Sequence, residues 1–509
     1  MRLSIIFLLC VLFSCSNQKE QPRKPLNEAV SGLYDSARKP FYHGVASGDP
    51  LPDRVIIWTR VTPEYSVSKI AVKWEVSEKP DFSSVLQSDT LSTTPARDYT
   101  VKVDVQGLQP ATVYYYRFHA LNHTSPTGRT KTTPTGRADS LKFAVVSCSN
   151  WEWGYFNAYA RIAEKELDAV IHLGDYIYEY GVGRYGDTTI GRINIPPHEI
   201  ITLQDYRTRH SQYRLDEGLR AMSAAHPLIA IWDDHEVANN SYKAGAENHQ
   251  PDKEGDYYTR KEAARKAYYE WLPIREGATH YRAFPFGELA HLIMLDERLE
   301  GRDAPPATPQ EAQQQRSMLG QTQLQWLLDN LRTTAQWKII GNQVIFSDID
   351  LRPVYPNMPR NLDAWDGYLS EKLLIKKFIL DNKLNNIVFI TGDTHAAWGI
   401  EVATDVAKTY NPKTSAGAFA VEFGTTSVSS ANDNEYRSTD TVKLMEQQLL
   451  RANPHIKYLN DRDHGYLLLT LLPDKARAEY FVVETLRTAD GRERRDKVLH
   501  VKSGTIKLY

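Results

Sequence analysis

From Leu141 onward the chain repeats one pattern: a short, nearly continuous apolar run that stops abruptly at polar residues, then a helix-like stretch. Phe143-Ala-Val-Val146, Ala169-Val-Ile-His-Leu173, Leu228-Ile-Ala-Ile-Trp232, Leu292-Ile-Met-Leu295, Trp337-Lys-Ile-Ile340 and Ile387-Val-Phe-Ile390 are the runs. Without polar alternation, they fit strands buried on both faces, as in parallel sheets covered by helices. Tyr258–Trp271 and Thr322–Asn330 are the clearest helices between them, and Gly465–Leu472 and Ala478–Val483 predict late antiparallel strands. Residues 140–509 therefore read as one layered α/β unit. No repeat of fixed period is present, and residues 180–220 and 297–318 read as loop or lid insertions.

Residues 41–136 have another texture. Val55–Val61, Lys69–Val76, Tyr99–Val105 and Thr112–Phe118 are rich in β-branched and aromatic residues and are separated by turn clusters, which predicts an all-β sandwich. Gly107-Leu-Gln-Pro110 before the tyrosine-rich strand resembles the corner of a fibronectin type III-like domain. The Pro-Thr-Gly-Arg segments at 126–129 and 134–137 read as turn and linker.

The chemistry stands where the apolar runs end, which is where ligands collect in open α/β sheets. The first run ends in Ser147-Cys148-Ser149-Asn150, the second in Gly174-Asp175-Tyr176-Ile177-Tyr178, the third in Asp233-Asp234-His235-Glu236, and the last in Thr391-Gly392-Asp393-Thr394-His395. Taken singly, each is unremarkable: a Gly-Asp after a strand is usually a turn, and a lone cysteine is usually an inert buried thiol. Four strand ends carrying carboxylate, imidazole, phenol and thiol together predict a metal cluster, because packed carboxylates repel unless cations neutralise them.

Gly174-Asp175-x-x-Tyr178, Asp234-His235-Glu236 and Gly392-Asp393-x-His395 resemble the calcineurin-like metallophosphoesterase signature. Cys148-x-Asn150 in place of D-x-H, Asp234 in place of asparagine and Asp393 in place of the first histidine are the variants of the alkaline phosphatase D (PhoD-like) family. His43–Pro50, Ile57–Arg60, Leu173–Glu179, Trp365–Tyr368 and Glu422–Thr425 are further family-like segments, so the resemblance spans about residues 40 to 485. It implies a four-layer α/β/β/α metallophosphoesterase sandwich behind the front domain, and hydrolysis of phosphate mono- or diesters. Many relatives resemble twin-arginine exported proteins, whereas this sequence has no arginine pair near its start.

Placed by the parent signature, Cys148, Asp175, Tyr178 and His395 form one metal position. Thiolate, phenolate and imidazole suit a transition metal, and the anionic set favours iron(III). Asp234 and Asp393, sharing Asp175, form an all-oxygen position suited to calcium, and the family likewise pairs iron with one or two calcium ions. The resemblance implies that the cations clamp the phosphoryl oxygens and acidify the attacking water. His235 is then expected to contact the phosphoryl group or protonate the leaving group, and Asn150 to hydrogen-bond a phosphate oxygen. A purple acid phosphatase-like enzyme shares Gly-Asp-x-x-Tyr but expects Asn before His235 and His at 393, where this sequence has Asp at both. A lipid-anchored binding module with a degenerate site would have lost ligands, and none is missing. Trp151, Trp153, Trp398 and Tyr368 lie beside these motifs and read either as the substrate mouth or as packing.

Met1-Arg2, the apolar run Leu3–Phe13 and the polar stretch from Ser14 predict a secretory signal over residues 1–14, too short to span a bilayer. Leu12-Phe13-Ser14-Cys15 resembles a bacterial lipoprotein box, with Cys15 the lipidated residue of a cell-envelope lipoprotein and simple cleavage the alternative. Residues 15–40 read as lipidated cysteine and polar linker. The formal net charge of −2 argues against nucleic-acid recognition, and a monomer is expected. Only Cys10, Cys15 and Cys148 occur in 509 residues, which excludes a disulfide scaffold. Cys10 leaves with the signal, so Cys148 is the one thiol of the folded body, and as an exported thiol it is best explained as a metal ligand.

Overall fold

The computed structural model describes residues 25–26 and 28–509. The signal and Cys15 lie outside the described residues. Two mixed sheets stack face to face. The first has nine strands in the order 493–502, 475–483, 465–471, 141–146, 169–172, 227–230, 45–51, 54–60 and 100–106. The second has seven, in the order 282–286, 290–294, 337–342, 387–391, 418–424, 397–403 and 456–460. At the centre of each the strands run parallel: Leu141–Val146, Ala169–His172 and Pro227–Ala230 in the first, and Ala290–Met294, Trp337–Asn342, Ile387–Thr391 and Ala418–Gly424 in the second.

Strand pleating divides the side chains between three cores. Phe143, Val145, Ile171 and Ile229 point inward, where they meet Leu292, Ile339, Val388 and Phe423 of the opposite sheet. Ala144, Val146, Val170 and Leu228 point outward against helices Asn157–Ile162, Glu217–Ala225 and Tyr257–Trp271. Ile293, Ile340 and Phe389 do the same on the far side, under Gly320–Asn330, Leu369–Asp381 and Thr439–Ala452. Each central strand is thus apolar on both faces, which is why its sequence shows no alternation.

The front region forms the all-β sandwich, with Ile70–Ser77, Gln87–Thr93 and Val113–Ala120 facing Val45–Leu51, Arg54–Arg60 and Thr100–Gln106 across one apolar core. Those last three strands also extend the nine-stranded sheet, since Ser47 and Gly48 pair in parallel with Pro227 and Leu228. The front sandwich and the α/β unit therefore share a sheet. The polar linker does not run through to residue 40. Glu28 forms an ion pair with the buried guanidinium of Arg60, Leu26 N–H donates to Glu64 O at 3.0 Å, and Tyr34 stacks on Tyr42 at 4.1 Å.

Part of the region read as a lid is helical. Leu203–Tyr213 starts with a capping box between Thr202 and Asp205 and buries Arg207, Arg209, His210 and Gln212. Polar residues on its inward face interrupt its apolar stripe. Arg209 is fully buried and donates to the carbonyls of Tyr178, Tyr180 (3.1 Å) and Pro196 (3.1 Å), pinning the segment that carries the tyrosines of the site.

Candidate metal centre

The predicted ligands converge from both sheets. Cys148 and Asp175 follow the strands ending at Val146 and His172, Asp234 follows Ala230, and Asp393 and His395 follow Thr391. Cys148, Asp175 and His395 offer ligand atoms within 4.8 Å of one another. So do Asp175, Asp234 and His235, and so do Asp233, Asp234 and Asp393. Asp175 and Asp234 each belong to two groups, so the three groups form one chain of donors. The backbone is bent to achieve this: Cys148, Asp175, Asp393 and His395 all have φ between 54° and 63°, a left-handed conformation that non-glycine residues adopt rarely and that concentrates at functional sites. Gly174, at φ 104°, lets the Asp233 backbone close in, because a Cβ there would lie 2.3 Å from Asp233 Cβ and 2.5 Å from its nitrogen.

Tyr178 Oη donates to Asp175 Oδ2 at 2.9 Å, lies 3.2 Å from His395 Nε2, and accepts from Ser430 Oγ at 2.7 Å. His395 Nδ1 is held by the Ala431 carbonyl at 2.7 Å, which leaves Nε2 as the lone pair facing the cluster. His235 Nδ1 meets Glu179 Oε2 at 2.7 Å, and Glu179 Oε1 accepts from Asn239 N–H at 2.7 Å and Asn248 Nδ2 at 2.8 Å.

The donor set behaves as a cation site. Asp233 Oδ2 and Asp234 Oδ1 are buried without a hydrogen-bond partner among the described residues. Burial, with neighbouring carboxylates, pushes Asp175 and Asp233 well above the usual carboxylate range and Asp393 up to about 6. Burial and Asp175 push the Cys148 thiol up as well. Burial would also raise Asp234, but Arg298 and His235 outweigh it and hold the group low. Arg298 and His235 offset part of this charge, and deep burial of the remaining acids is favourable with further positive charge, so the residues fit metal ions: thiolate, phenolate and imidazole around Asp175, and the carboxylates of Asp233 and Asp393 around Asp234, with His235 beside them.

Asn150 is fully buried; its Oδ1 accepts from Glu152 N–H at 2.9 Å and one Nδ2 hydrogen is donated to the Tyr185 carbonyl at 3.2 Å, which braces the loop after the first strand. Several site residues went unread in the sequence. Arg298, fully buried, donates to Asp233, to Asp393 at 2.9 Å and to Asp363 at 2.6 Å. It closes the stretch Asp296-Glu297-Arg298 just past the strand ending at Met294, so the same strand-end rule would have found it. Asp363 and Ser430 lie on loops, where no periodicity marks them. Glu236 accepts the backbone N–H of Asp175, Tyr176 and Asp233, clasping two ligand loops together.

Two stacked sheets flanked by helices, with this donor chain at their carboxyl ends, define a hydrolase of the metallophosphoesterase class. A model described as PhoD-like phosphatase matches residues 143–480, and one described as PhoD-like phosphatase, N-terminal domain, matches residues 27–134. The chain is 38% identical over 473 residues to alkaline phosphatase D of Bacillus subtilis (strain 168), covering 87% of this chain and 78% of that protein. A solved structure described as the structure of PhoD matches with a TM-score of 0.83 at 35% identity, over 93% of this chain and 92% of that one. The chain belongs to the PhoD-like phosphatase family and is a phosphoric ester hydrolase.

Proposed function

We propose that the chain is an exported alkaline phosphatase/phosphodiesterase that takes phosphate mono- or diesters and uses iron(III) with one or two calcium ions. The observation that carries the metal reading is the donor chain in which Asp175, bonded to Tyr178, belongs to the Cys148–His395 group and, through Asp234 and His235, leads to the all-carboxylate group of Asp233, Asp234 and Asp393. Cys148, Asp175, Tyr178 and His395 would hold the iron, and Asp175, Asp234 and Asp393 the calcium, with Asp233 available to a second calcium. Bound there, the ions would neutralise phosphoryl oxygens and supply an acidified water for in-line attack on phosphorus.

The chain's own residues orient and protonate. Glu179 fixes the His235 ring through Nδ1, which directs Nε2 toward the bound ester, where it hands a proton to the leaving oxygen. Elemental analysis of the purified protein, combined with turnover of a panel of monoesters, diesters and phospholipids, tests the reading. Iron and calcium that co-purify with hydrolysis support it; full turnover without either ion overturns it.

The lipoprotein box at Leu12–Cys15 supports export and tethering to the cell envelope through lipidated Cys15. No helix among the described residues is long and apolar enough to cross a membrane. Cys15→Ala is expected to move the protein from the membrane to the soluble fraction; continued membrane retention of that variant overturns the anchor.

A further inference from the structure

A continuous row of rings leads out of the centre. The rings of His235 and Tyr180 are 5.4 Å apart, Tyr180 and Tyr185 5.6 Å, Tyr185 and Trp153 5.9 Å, and Trp153 and Tyr436 5.9 Å. Exposure rises along it: His235 is buried, Tyr180, Tyr185 and Trp153 are half-buried, and Tyr436 is 61% exposed. The row is fastened to the site at its middle ring, where Tyr185 Oη lies 3.3 Å from Nδ1 of His395. At its outer end Trp153 lines a cavity of about 410 Å³ together with Asn434, His464 and Arg487. A core cluster would close over its rings; this one starts at His235 and ends with the exposed ring of Tyr436, which follows Asn434 and Glu435 of the cavity wall.

We infer that the row is the subsite for the leaving group, and that it selects phosphate esters whose alcohol carries a flat aromatic ring. The inference rests on the assignment of phosphoester hydrolysis with His235 on the leaving-group side. A flat ring gains from edge and offset contacts with tyrosine and tryptophan faces, which an alkyl or polyol chain cannot match. Beyond Tyr178, whose ring lies 4.3 Å from that of His235 on the metal side, a leaving group that passes His235 meets Tyr180, and the wall then guides it toward Trp153 and Tyr436.

The test compares kcat/KM for 2-naphthyl and glycerol esters, each as the monoester and as the methyl diester, in the metal-loaded full-length protein. The readout is the naphthyl-to-glycerol ratio, so that intrinsic leaving-group reactivity cancels between variants. Tyr436→Ala removes the exposed outermost ring and Trp153→Leu the ring next to it; each is expected to lower the ratio about tenfold, mainly through KM. Trp153→Phe, which keeps a ring, is expected to recover most of the loss, and Tyr509→Ala, at the end of the chain, to leave the ratio alone. A ratio unchanged in both ring-removing variants, while both esters are still hydrolysed, overturns the subsite and leaves the activity standing. Failure of the unaltered protein to hydrolyse any of the four esters overturns the activity and the subsite with it.

Discussion

The carboxylate of Glu179 and the imidazole of His235 meet at 2.7 Å, both buried, one residue beyond a metal-ligand candidate in each case: Glu179 follows Tyr178 and His235 follows Asp234. With Asn239 and Asn248 saturating the other carboxylate oxygen, Glu179 has one orientation available, and so has the ring it holds. A proton donor fixed in this way matters in proportion to how badly the leaving oxygen needs the proton. Glu179→Gln is therefore expected to slow alkyl esters at least about tenfold while slowing p-nitrophenyl esters far less, with metal content unchanged. Equal slowing of both ester types would assign Glu179 to general packing.

In the proposed assignment, Cys148 and Tyr178 bring the two donors that would separate an iron position from a calcium one. Cys148→Ser replaces a soft thiolate by a hydroxyl and is expected to lower bound iron several-fold, with a smaller effect on calcium. Tyr178→Phe is expected to abolish any visible phenolate-to-iron absorption while leaving the fold intact, since Tyr178 Oη bonds only to Asp175, His395 and Ser430 among the described residues. Metal analysis and absorption spectra of the two variants check this directly, and an unaltered iron content in Cys148→Ser would return that thiol to a packing role.

The contrast between these ligands and Asn150 shows what was legible in the chain. Cys148, Asp175, Asp234 and Asp393 stand at the ends of apolar runs, and a run buried on both faces announces its own termination, so the fold and the clustering of these candidate ligands could be read together. Asn150 stands in a similar place, but the direction of its amide is set by local hydrogen bonds to Glu152 and Tyr185 that the pattern of apolar runs does not show. Helix Leu203–Tyr213 was hidden for the opposite reason. Beside Tyr206 and Tyr213 its buried face carries Arg209 and Gln212, which satisfy loop carbonyls, and His210, so polar residues interrupt the stripe that hydrophobic periodicity would detect. The shared sheet was equally invisible, because the pairing of Ser47 with Pro227 joins strands 180 residues apart in sequence.

Buried histidines set an acid limit on stability. Burial lowers His172 and His210 to about 3, and neither ring nitrogen of His210 has a hydrogen-bond partner among the described residues. Both groups are neutral in the folded chain, whereas an unfolded histidine titrates near 6.5. Their stabilising contribution is complete above about pH 6.5 and is lost as pH falls toward 3, because the unfolded chain then binds protons that the folded chain refuses. Each costs up to about 1.4 kcal/mol per pH unit in that window. His210→Phe keeps an aromatic ring between Tyr176 and Tyr268 and cannot titrate. Thermal melts from pH 7.5 to 4.5 are expected to show a shallower acid decline for this variant than for the unaltered protein; parallel curves would exclude His210 as a source of the slope.

Gly174 is the backbone hinge on which the donor chain depends. A side chain there meets two obstacles at once, a φ of 104° that L-residues rarely adopt and the Asp233 backbone inside van der Waals contact. The conformation alone costs about 1–3 kcal/mol, and relief of the clash must push Asp233 and Asp234 away from Asp175. Gly174→Ala is accordingly expected to lose activity and metal together, while Gly136→Ala, which has open space around its added methyl, is expected to keep both. If Gly174→Ala retained wild-type calcium content and turnover, the close approach of the two loops would have to be given up as a requirement of the site.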